Sequence, residues 1–268
     1  MTYRLGSRRC KLLLPAVCVL AALVTGAGAL DVETARLDDL THDFDETTIY
    51  WPTARRFTLD ATAHGPTPGG WWYAANDFCA AEHGGTHLDA PIHFAEGGWT
   101  TEAIPLDRLR GPAAVVRAIA AGARDRDRLV SVRDLERDEA AHGRIPDGAV
   151  VLLQTGWARY WPDAARYLGT AARGDTAHLR FPGLDPAAAR WLVAQRRVRA
   201  VGIDTASIDR GRSTDFRSHR VLAGSNVAVF ENLANLDRLP SRGAVVLALP
   251  MKIRGGSGGP LRAVALVP

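Results

Sequence analysis

A helix between two buried strands most constrains the fold of this chain. Segment 182–197, PGLDPAAARWLVAQRR, predicts a helix, because Asp185 is suited to cap its start and Pro186 to occupy its first position. The segments on either side, 148–155 and 198–204, are short, apolar and bounded by turn signals, as buried strands are. This order predicts an α/β unit and places Asp204 at the carboxyl end of its second strand.

The rest of the sequence favours a single domain, since no internal repeat or long polar linker divides it. The first third is rich in Gly, Pro and Trp and predicts β structure with long ordered loops. Further strands are predicted at 113–119, 244–250 and 262–268. The glycine-rich segment 255–259 between the last two is either a plain connection or a loop that lies over a site.

The first 29 residues have the layout of an export signal. Four basic residues precede an apolar run at 12–24, and Ala27–Ala29 supplies the small-x-small pattern that a signal peptidase cuts after. The run is shorter than the ~20 residues that cross a bilayer, which makes a retained anchor the weaker alternative. We therefore predict a signal peptide at 1–29, cleavage near Ala29, a domain at 30–268, and an exported protein without stable membrane insertion. The Arg8–Arg9 pair leaves open whether export follows the general or the twin-arginine route.

Charge and cysteine content restrict the partners and the covalent chemistry. The export segment carries four basic and no acidic residues, so the remainder has 29 basic and 29 acidic residues. A balanced domain gives no support for a nucleic-acid or anionic-membrane partner. Cys79 is the only cysteine after residue 29, which excludes an intrachain disulfide in the processed domain. We expect a buried, inert thiol, with a reactive or metal-binding role as the alternative.

Segment 82–94, EHGGTHLDAPIHF, places three histidines and an aspartate within eleven positions. Its two glycines and Pro91 argue against a helix. In an extended chain alternate side chains share a face, so His87, Asp89 and His93 are expected on one side, and His83 joins them around the glycine turn. Imidazoles and a carboxylate converging in this way suit Zn²⁺ or Mn²⁺. The alternative is a set of ordinary histidines hydrogen-bonded to their neighbours.

The same segment resembles a known family. His83–His93 matches the HxGTHxDxPxH signature of the cyclase superfamily of metal-dependent hydrolases, which contains bacterial kynurenine formamidases and isatin hydrolases. Similar blocks occur at 155–157, 181–184 and 201–209, at Glu231–Asn232 and near the carboxyl end, so the resemblance covers nearly all of the chain after the export segment. It implies a single-domain α/β fold with mixed β-sheets, partly barrel-like, and flanking helices. It also implies a homo-oligomer, typically a dimer.

The resemblance also implies the site residues. The implied ligands are His83, His87 and Asp89 for a first metal ion, and His219 with the shared Asp89 and Glu231 for a second. Zn²⁺ or Mn²⁺ is implied, as one ion or two. His93 is implied as the acid/base that protonates the departing nitrogen.

Aromatic residues are candidates for a wall on which a substrate ring packs. The resemblance implies Trp51 in this role, and the cluster Trp71–Tyr73 is a second candidate. Core packing is the alternative for each of them. We expect the remaining histidines to be structural or to lie on the surface: His42, His64, His142 and His178.

The function implied is hydrolysis of an amide C–N bond in a small aromatic substrate by metal-activated water. Two branches compete, arylformamidase action on N-formylkynurenine and opening of the lactam of isatin. Export argues against the first, because tryptophan breakdown is normally cytoplasmic, and segments 45–53 and 82–100 look closer to the isatin hydrolases. The alternatives are a catalytically silent metal-binding protein and a polyketide-type cyclase.

Overall fold

The structure is a computed structural model that describes residues 32–118 and 125–268. Its strands are β1 Arg36–Asp39, β2 Thr58–Pro66, β3 Trp72–Cys79, β4 His87–Asp89, β5 Arg110–Arg117, β6 Leu129–Val130, β7 Val150–Gln154, β8 Gly183–Leu184, β9 Ala200–Ile203, β10 Ala228–Glu231, β11 Val245–Pro250 and β12 Gly258–Val267. Its α-helices are α1 Val132–His142, α2 Ala164–Leu168, α3 Pro186–Arg196 and α4 Arg217–Ala223. The predicted signal peptide lies outside the described residues. None of the described helices combines the length and the apolar character that a membrane crossing requires.

The main sheet closes into a ring. Its strand order is β1-β12-β11-β5-β7-β9-β10-β4, and β4 also pairs with β12, so that in the described part of the chain seven strands form a closed circuit. Strands β5, β7, β9 and β10 run parallel, whereas β4, β11 and β12 join through antiparallel pairs. The expectation of a mixed, partly barrel-like α/β fold is confirmed.

The parallel strands are buried on both faces, as the apolar runs predict. In β7, Val150 and Leu152 belong to an apolar cluster that draws residues from all seven strands of the ring. Val151 and Leu153 face the other way and pack with Leu192 of α3. Burial on both faces explains why these strands read as continuous apolar runs rather than as alternating ones.

The predicted helix forms and begins at Pro186, the predicted first helical position, so that the first residues of segment 182–197 lie outside it. Asp185 caps α3 by accepting a hydrogen bond of 2.7 Å from the backbone N–H of Ala187, and Pro186 occupies the first turn. The preceding Gly183–Leu184 pair instead forms β8, which lies parallel to β6. The strand predicted after the helix is β9, and it ends one residue before Asp204.

A two-stranded hairpin, β2 with β3, is separate from the ring. It pairs Thr58 with Cys79 at its base and Pro66 with Trp72 at its tip. Most of its side chains are exposed. The hairpin leads directly into the histidine-rich segment, because β3 ends three residues before Glu82.

Candidate metal centre

Strand β4 brings two of the predicted ligands to one face. His87 and Asp89 lie two residues apart on this strand and are buried between β10 and β12. The turn before the strand depends on Gly85, whose φ is +58° and whose added Cβ would lie 2.4 Å from the ring of Phe44. This turn returns His83 to the strand, where its Nδ1 lies 2.7 Å from Asp89 Oδ1.

His93 lies at the site, but its backbone conformation differs from the predicted one. It does not continue an extended strand, because Pro91 begins a 3₁₀ turn that ends at His93. The alternating pattern therefore holds for His87 and Asp89 and is wrong for His93. The ring of His93 nevertheless stacks on that of His83, with centroids 3.8 Å apart.

Glu231 and His219 arrive from other elements. Glu231 ends β10 and stands opposite His87 in the pairing with β4. His219 lies on α4, and its Nε2 is 3.0 Å from Asp89 Oδ2 and 3.1 Å from Glu231 Oε1. His87 Nε2 is 3.1 Å from Asp89 Oδ1. The side chains thus form two groups with the spacing of metal ligands, His83 with His87 and Asp89, and Asp89 with His219 and Glu231.

Hydrogen bonds behind two of the histidines orient their free nitrogens. His87 Nδ1 lies 3.0 Å from the carbonyl oxygen of Gly85, which can only accept, so Nδ1 carries a proton. His219 Nδ1 lies 2.7 Å from Oδ2 of Asp209, which also accepts from the backbone N–H of His219. In both rings Nε2 is left to face the carboxylates. This is the arrangement in which protein histidines bind metal ions.

The electrostatics of the cluster favour positive charge at its centre. Burial lowers the pKa of His219, but hydrogen bonds to Asp209, Asp89 and Glu231 outweigh it and hold that pKa well above its ordinary value. Burial raises the pKa of Asp89, but the surrounding histidines outweigh this effect and hold that pKa well below its ordinary value. The pKa of Glu231 is raised by burial and by the charge of Asp89. A divalent cation would compete with protons for these inward-facing atoms, and the donor set fits one.

A cavity of about 310 Å³ lies above the cluster. Its apolar wall includes Trp51, Phe94 and Phe216. The rings of Phe94 and Phe216 have centroids 5.4 Å apart, and Phe216 lies 6.4 Å from Trp51. Trp51 thus lines the same cavity as the histidines.

The cluster Trp71–Tyr73 does not contribute to that wall, so this second candidate is wrong. Trp71 and Trp72 are more than half exposed at the tip of the hairpin. Phe94 and Phe216, which were not predicted, form the wall together with Trp51. Their positions in the sequence could have identified them, because Phe94 follows His93 directly and Phe216 precedes His219 by three residues.

Polar residues that were not predicted lie behind the ligands: Asp209, Glu82 and Ser257. Asp209 lies in the block 201–209, Glu82 opens the histidine-rich segment, and Ser257 lies in the glycine-rich segment. The Oγ of Ser257 is 2.9 Å from His83 Nε2, so this segment is a loop against the site rather than a plain connection.

Other residues singled out in the sequence lie elsewhere. Asp204 is buried and accepts hydrogen bonds from the backbone of Thr155, Gly156 and Trp157, a structural role at the end of β7. Cys79 is half-buried rather than buried, and it belongs to neither ligand group. The remaining histidines are also outside both groups: His42, His64, His142 and His178.

Comparison with known proteins places these features in a family. Residues 38–210 match the family model Cyclase, described as "Putative cyclase". The isatin hydrolase of Roseibium aggregatum is 34% identical over 207 residues, which cover 74% of this chain and 77% of that protein. The kynurenine formamidase of Salinibacter ruber is 32% identical over 187 residues, covering 68% and 74%.

Solved structures agree with these sequence matches. Isatin hydrolase A from Ralstonia solanacearum superposes with a TM-score of 0.79 at 34% identity, over 88% of this chain and 93% of that one. An isatin hydrolase bound to the product analogue thioisatinate superposes with a TM-score of 0.78 at 29% identity, over 88% and 94%. With its closed mixed sheet, its two ligand groups and these matches, the chain belongs to the cyclase family of metal-dependent hydrolases.

Proposed function

We propose that this protein hydrolyses the amide C–N bond of a small aromatic lactam of the isatin type. The proposal rests on one observation. The same cavity has an aromatic wall and a floor of three imidazoles and two carboxylates. Such a floor holds the reacting carbonyl while the apolar wall holds the ring.

The metal centre is proposed to hold one or two ions of Zn²⁺ or Mn²⁺. His83, His87 and Asp89 are the proposed ligands of a first ion, and His219, Asp89 and Glu231 of a second. A bound ion of this kind polarises a carbonyl and lowers the pKa of water. The mixed nitrogen and oxygen donors suit either metal.

His93 is the proposed acid/base. Its ring packs against His83 without belonging to either ligand group. Although part of its surface is exposed, desolvation by the surrounding residues lowers the pKa of His93 to about 4, with Asp89 partly opposing the shift, so the imidazole is neutral near pH 7. A neutral imidazole accepts a proton from the attacking water and returns it to the departing nitrogen.

The lining of the cavity favours the lactam branch over formamidase action. N-formylkynurenine carries an amino-acid carboxylate, for which a lysine or arginine is the usual partner. Among the described residues that line the cavity, none is a lysine or an arginine. The resemblance to isatin hydrolases points the same way. N-formylkynurenine is therefore the second candidate.

Export and oligomeric state are part of the proposal. The layout of residues 1–29 supports an exported protein, which cell fractionation with detection of the processed amino terminus tests.

The β2–β3 hairpin supports a homodimer, because an isolated two-stranded hairpin is marginal in water and exposes Leu59, Trp72 and Phe78. Light scattering on the Leu59→Ser/Phe78→Ser double variant tests this, and an unchanged mass contradicts the hairpin interface.

The function is tested on purified protein from residue 30 onward. Bound metals are measured by elemental analysis, and the same sample is assayed by absorbance against isatin and N-formylkynurenine. We expect one or two metal equivalents and faster turnover of isatin. Preferred turnover of N-formylkynurenine contradicts the lactam branch. Metal without turnover of either substrate favours a silent binding protein, or a cyclase acting on a different substrate class.

A further inference from the structure

A chain of hydrogen bonds connects His83 to a carboxylate outside both ligand groups. His83 Nε2 lies 2.9 Å from the Oγ of Ser257. That hydroxyl donates a hydrogen bond of 2.6 Å to Glu82 Oε2, which also accepts from the backbone N–H of Ser257 at 3.0 Å. The chain therefore runs from Glu82 through Ser257 to the ring that faces Asp89.

The direction of these bonds determines the tautomer of His83. A serine hydroxyl has one proton, and Ser257 gives it to the carboxylate of Glu82. Its oxygen can then only accept from His83, so Nε2 carries the imidazole proton. Nδ1 is left with a lone pair directed at Asp89 Oδ1, 2.7 Å away. His83 thus presents the opposite nitrogen from His87 and His219, which present Nε2.

The segment that carries Ser257 is built to approach His83 closely. A Cβ added to Gly258 would lie 2.6 Å from His83 Cε1 and 2.6 Å from the carbonyl oxygen of Leu88, so a side chain there would displace the ring or the strand. The carbonyl oxygen of Ser257 accepts a hydrogen bond of 2.9 Å from the backbone N–H of Ala90. The hydroxyl is therefore held in place independently of the imidazole.

A second carboxylate holds the same segment without touching the site. Glu102 Oε2 accepts a hydrogen bond of 3.0 Å from the backbone N–H of Gly255. Glu102 and Glu82 thus both tie the glycine-rich segment to the body of the domain, but only Glu82 is connected to His83.

We propose that Glu82 and Ser257 are positioning residues for the metal centre, which fix His83 as an Nδ1 ligand. The proposal rests on the proposed metal site. By accepting the proton of the Ser257 hydroxyl, the Glu82 side chain orients that hydroxyl and with it the ring of His83, so that Nδ1 is the donor atom. Partners of this kind, behind a ligand, are typically worth about 10–100-fold in metal affinity.

The test measures Zn²⁺ affinity by competition with a chromophoric chelator, in the absence of substrate. We expect Ser257→Ala and Glu82→Ala to bind Zn²⁺ about 10–100-fold more weakly than the unsubstituted protein, and Ser257→Thr to recover most of the loss. Glu102→Ala is the matched control and should retain its affinity. Thermal unfolding of the metal-free proteins establishes that each variant is folded.

Nuclear magnetic resonance supplies a readout that loss of packing does not mimic. Long-range ¹H–¹⁵N correlation spectra of the Zn²⁺-loaded protein distinguish a protonated from a metal-bound ring nitrogen. We expect His83 to be bound through Nδ1 and His87 and His219 through Nε2. Binding of His83 through Nε2, or unchanged affinity in folded Ser257→Ala, overturns the proposal while the metal site stands. Failure of the unsubstituted protein to bind any metal overturns the site itself.

Discussion

The imidazole rings of His83 and His93 lie nearly parallel, 19° apart, with centroids separated by 3.8 Å. One ring belongs to a ligand group, whereas the other belongs to neither group and lines the cavity. The stacking holds the ring of His93 beside the two ligand groups, where it is placed for the acid/base role proposed for it. Two histidines ten residues apart in one segment are therefore proposed to take different chemical roles.

Replacing His93 should separate catalysis from metal binding. In His93→Gln we expect kcat to fall by about 10²–10⁴-fold, because the departing nitrogen loses its proton donor. The metal content should not change, since the proposed ligands are intact. Elemental analysis and steady-state kinetics on one preparation measure both. Normal turnover in this variant rules out the acid/base assignment.

Asp209 should determine how tightly the second ligand group binds a metal ion. Its two oxygens accept from the backbone N–H groups of Ser218 and His219 and from the ring Nδ1 of His219. Asparagine offers one acceptor in place of two, so Asp209→Asn leaves a donor facing another donor. We expect metal affinity at the second group to fall by about 10–100-fold, with the first group unaffected. Titration of metal equivalents measures this.

Asp215 offers a matched control for the Asp209 variant. It is an exposed acid in the same loop and belongs to neither ligand group. Asp215→Asn should bind metal as the unsubstituted protein does. Equal effects of the two substitutions would mean that loop charge, rather than the orientation of His219, governs the affinity.

Local sequence patterns predicted those structural features that depend on interactions between neighbouring residues. The cap at Asp185, the buried strand β9 and the shared face of His87 and Asp89 each depend on a few neighbouring residues. His93 was misplaced, since the alternation of side chains ends where Pro91 begins a turn. No local pattern predicts that Ser257 meets His83, because that contact joins positions 174 residues apart.

The aromatic wall is a contact of the same long-range kind. Trp51, Phe94 and Phe216 come from three separate segments and meet only in the folded chain. The cluster at Trp71 looked equivalent in composition, yet it lies on a hairpin away from the cavity. Hydrophobicity alone does not distinguish an aromatic residue in a cavity wall from one on an exposed strand.

Phe216 should contribute to substrate affinity more than to the fold. Its φ of +45° is unfavourable for phenylalanine but acceptable for asparagine, so Phe216→Asn removes the ring without straining the backbone. We expect KM for isatin to rise by up to about 10-fold, the value of a lost aromatic contact. Thermal unfolding should show no loss of stability. Leu106→Asn, which changes an exposed residue outside the cavity, is the control.

A smaller increase in KM for aliphatic amides than for isatin would support the role of the ring. Equal increases for both substrate classes would contradict it. Such a result would mean that Phe216 shapes the cavity as a whole instead of recognising an aromatic group.

His42 should make the stability of the domain depend on pH. Its ring stacks on Trp161, with centroids 4.2 Å apart and planes 8° apart, and its Nε2 is buried without a hydrogen-bond partner. Burial lowers its pKa from 6.5 to about 4, with Asp43 opposing the shift. Between these values the unfolded chain binds more protons than the folded one. The contribution of His42 to stability is therefore present above pH 6.5 and is lost as the pH falls towards 4.

Phenylalanine at position 42 keeps the stacking and removes the titration. In His42→Phe we expect the loss of unfolding free energy between pH 7 and pH 4.5 to be smaller by roughly 2 kcal/mol than in the unsubstituted protein. Urea titrations in the presence of a chelator measure it without a contribution from metal binding. The control is His178→Phe, since the side chain of His178 is 78% exposed. If both variants follow the pH profile of the unsubstituted protein, burial of a neutral His42 does not contribute to acid sensitivity.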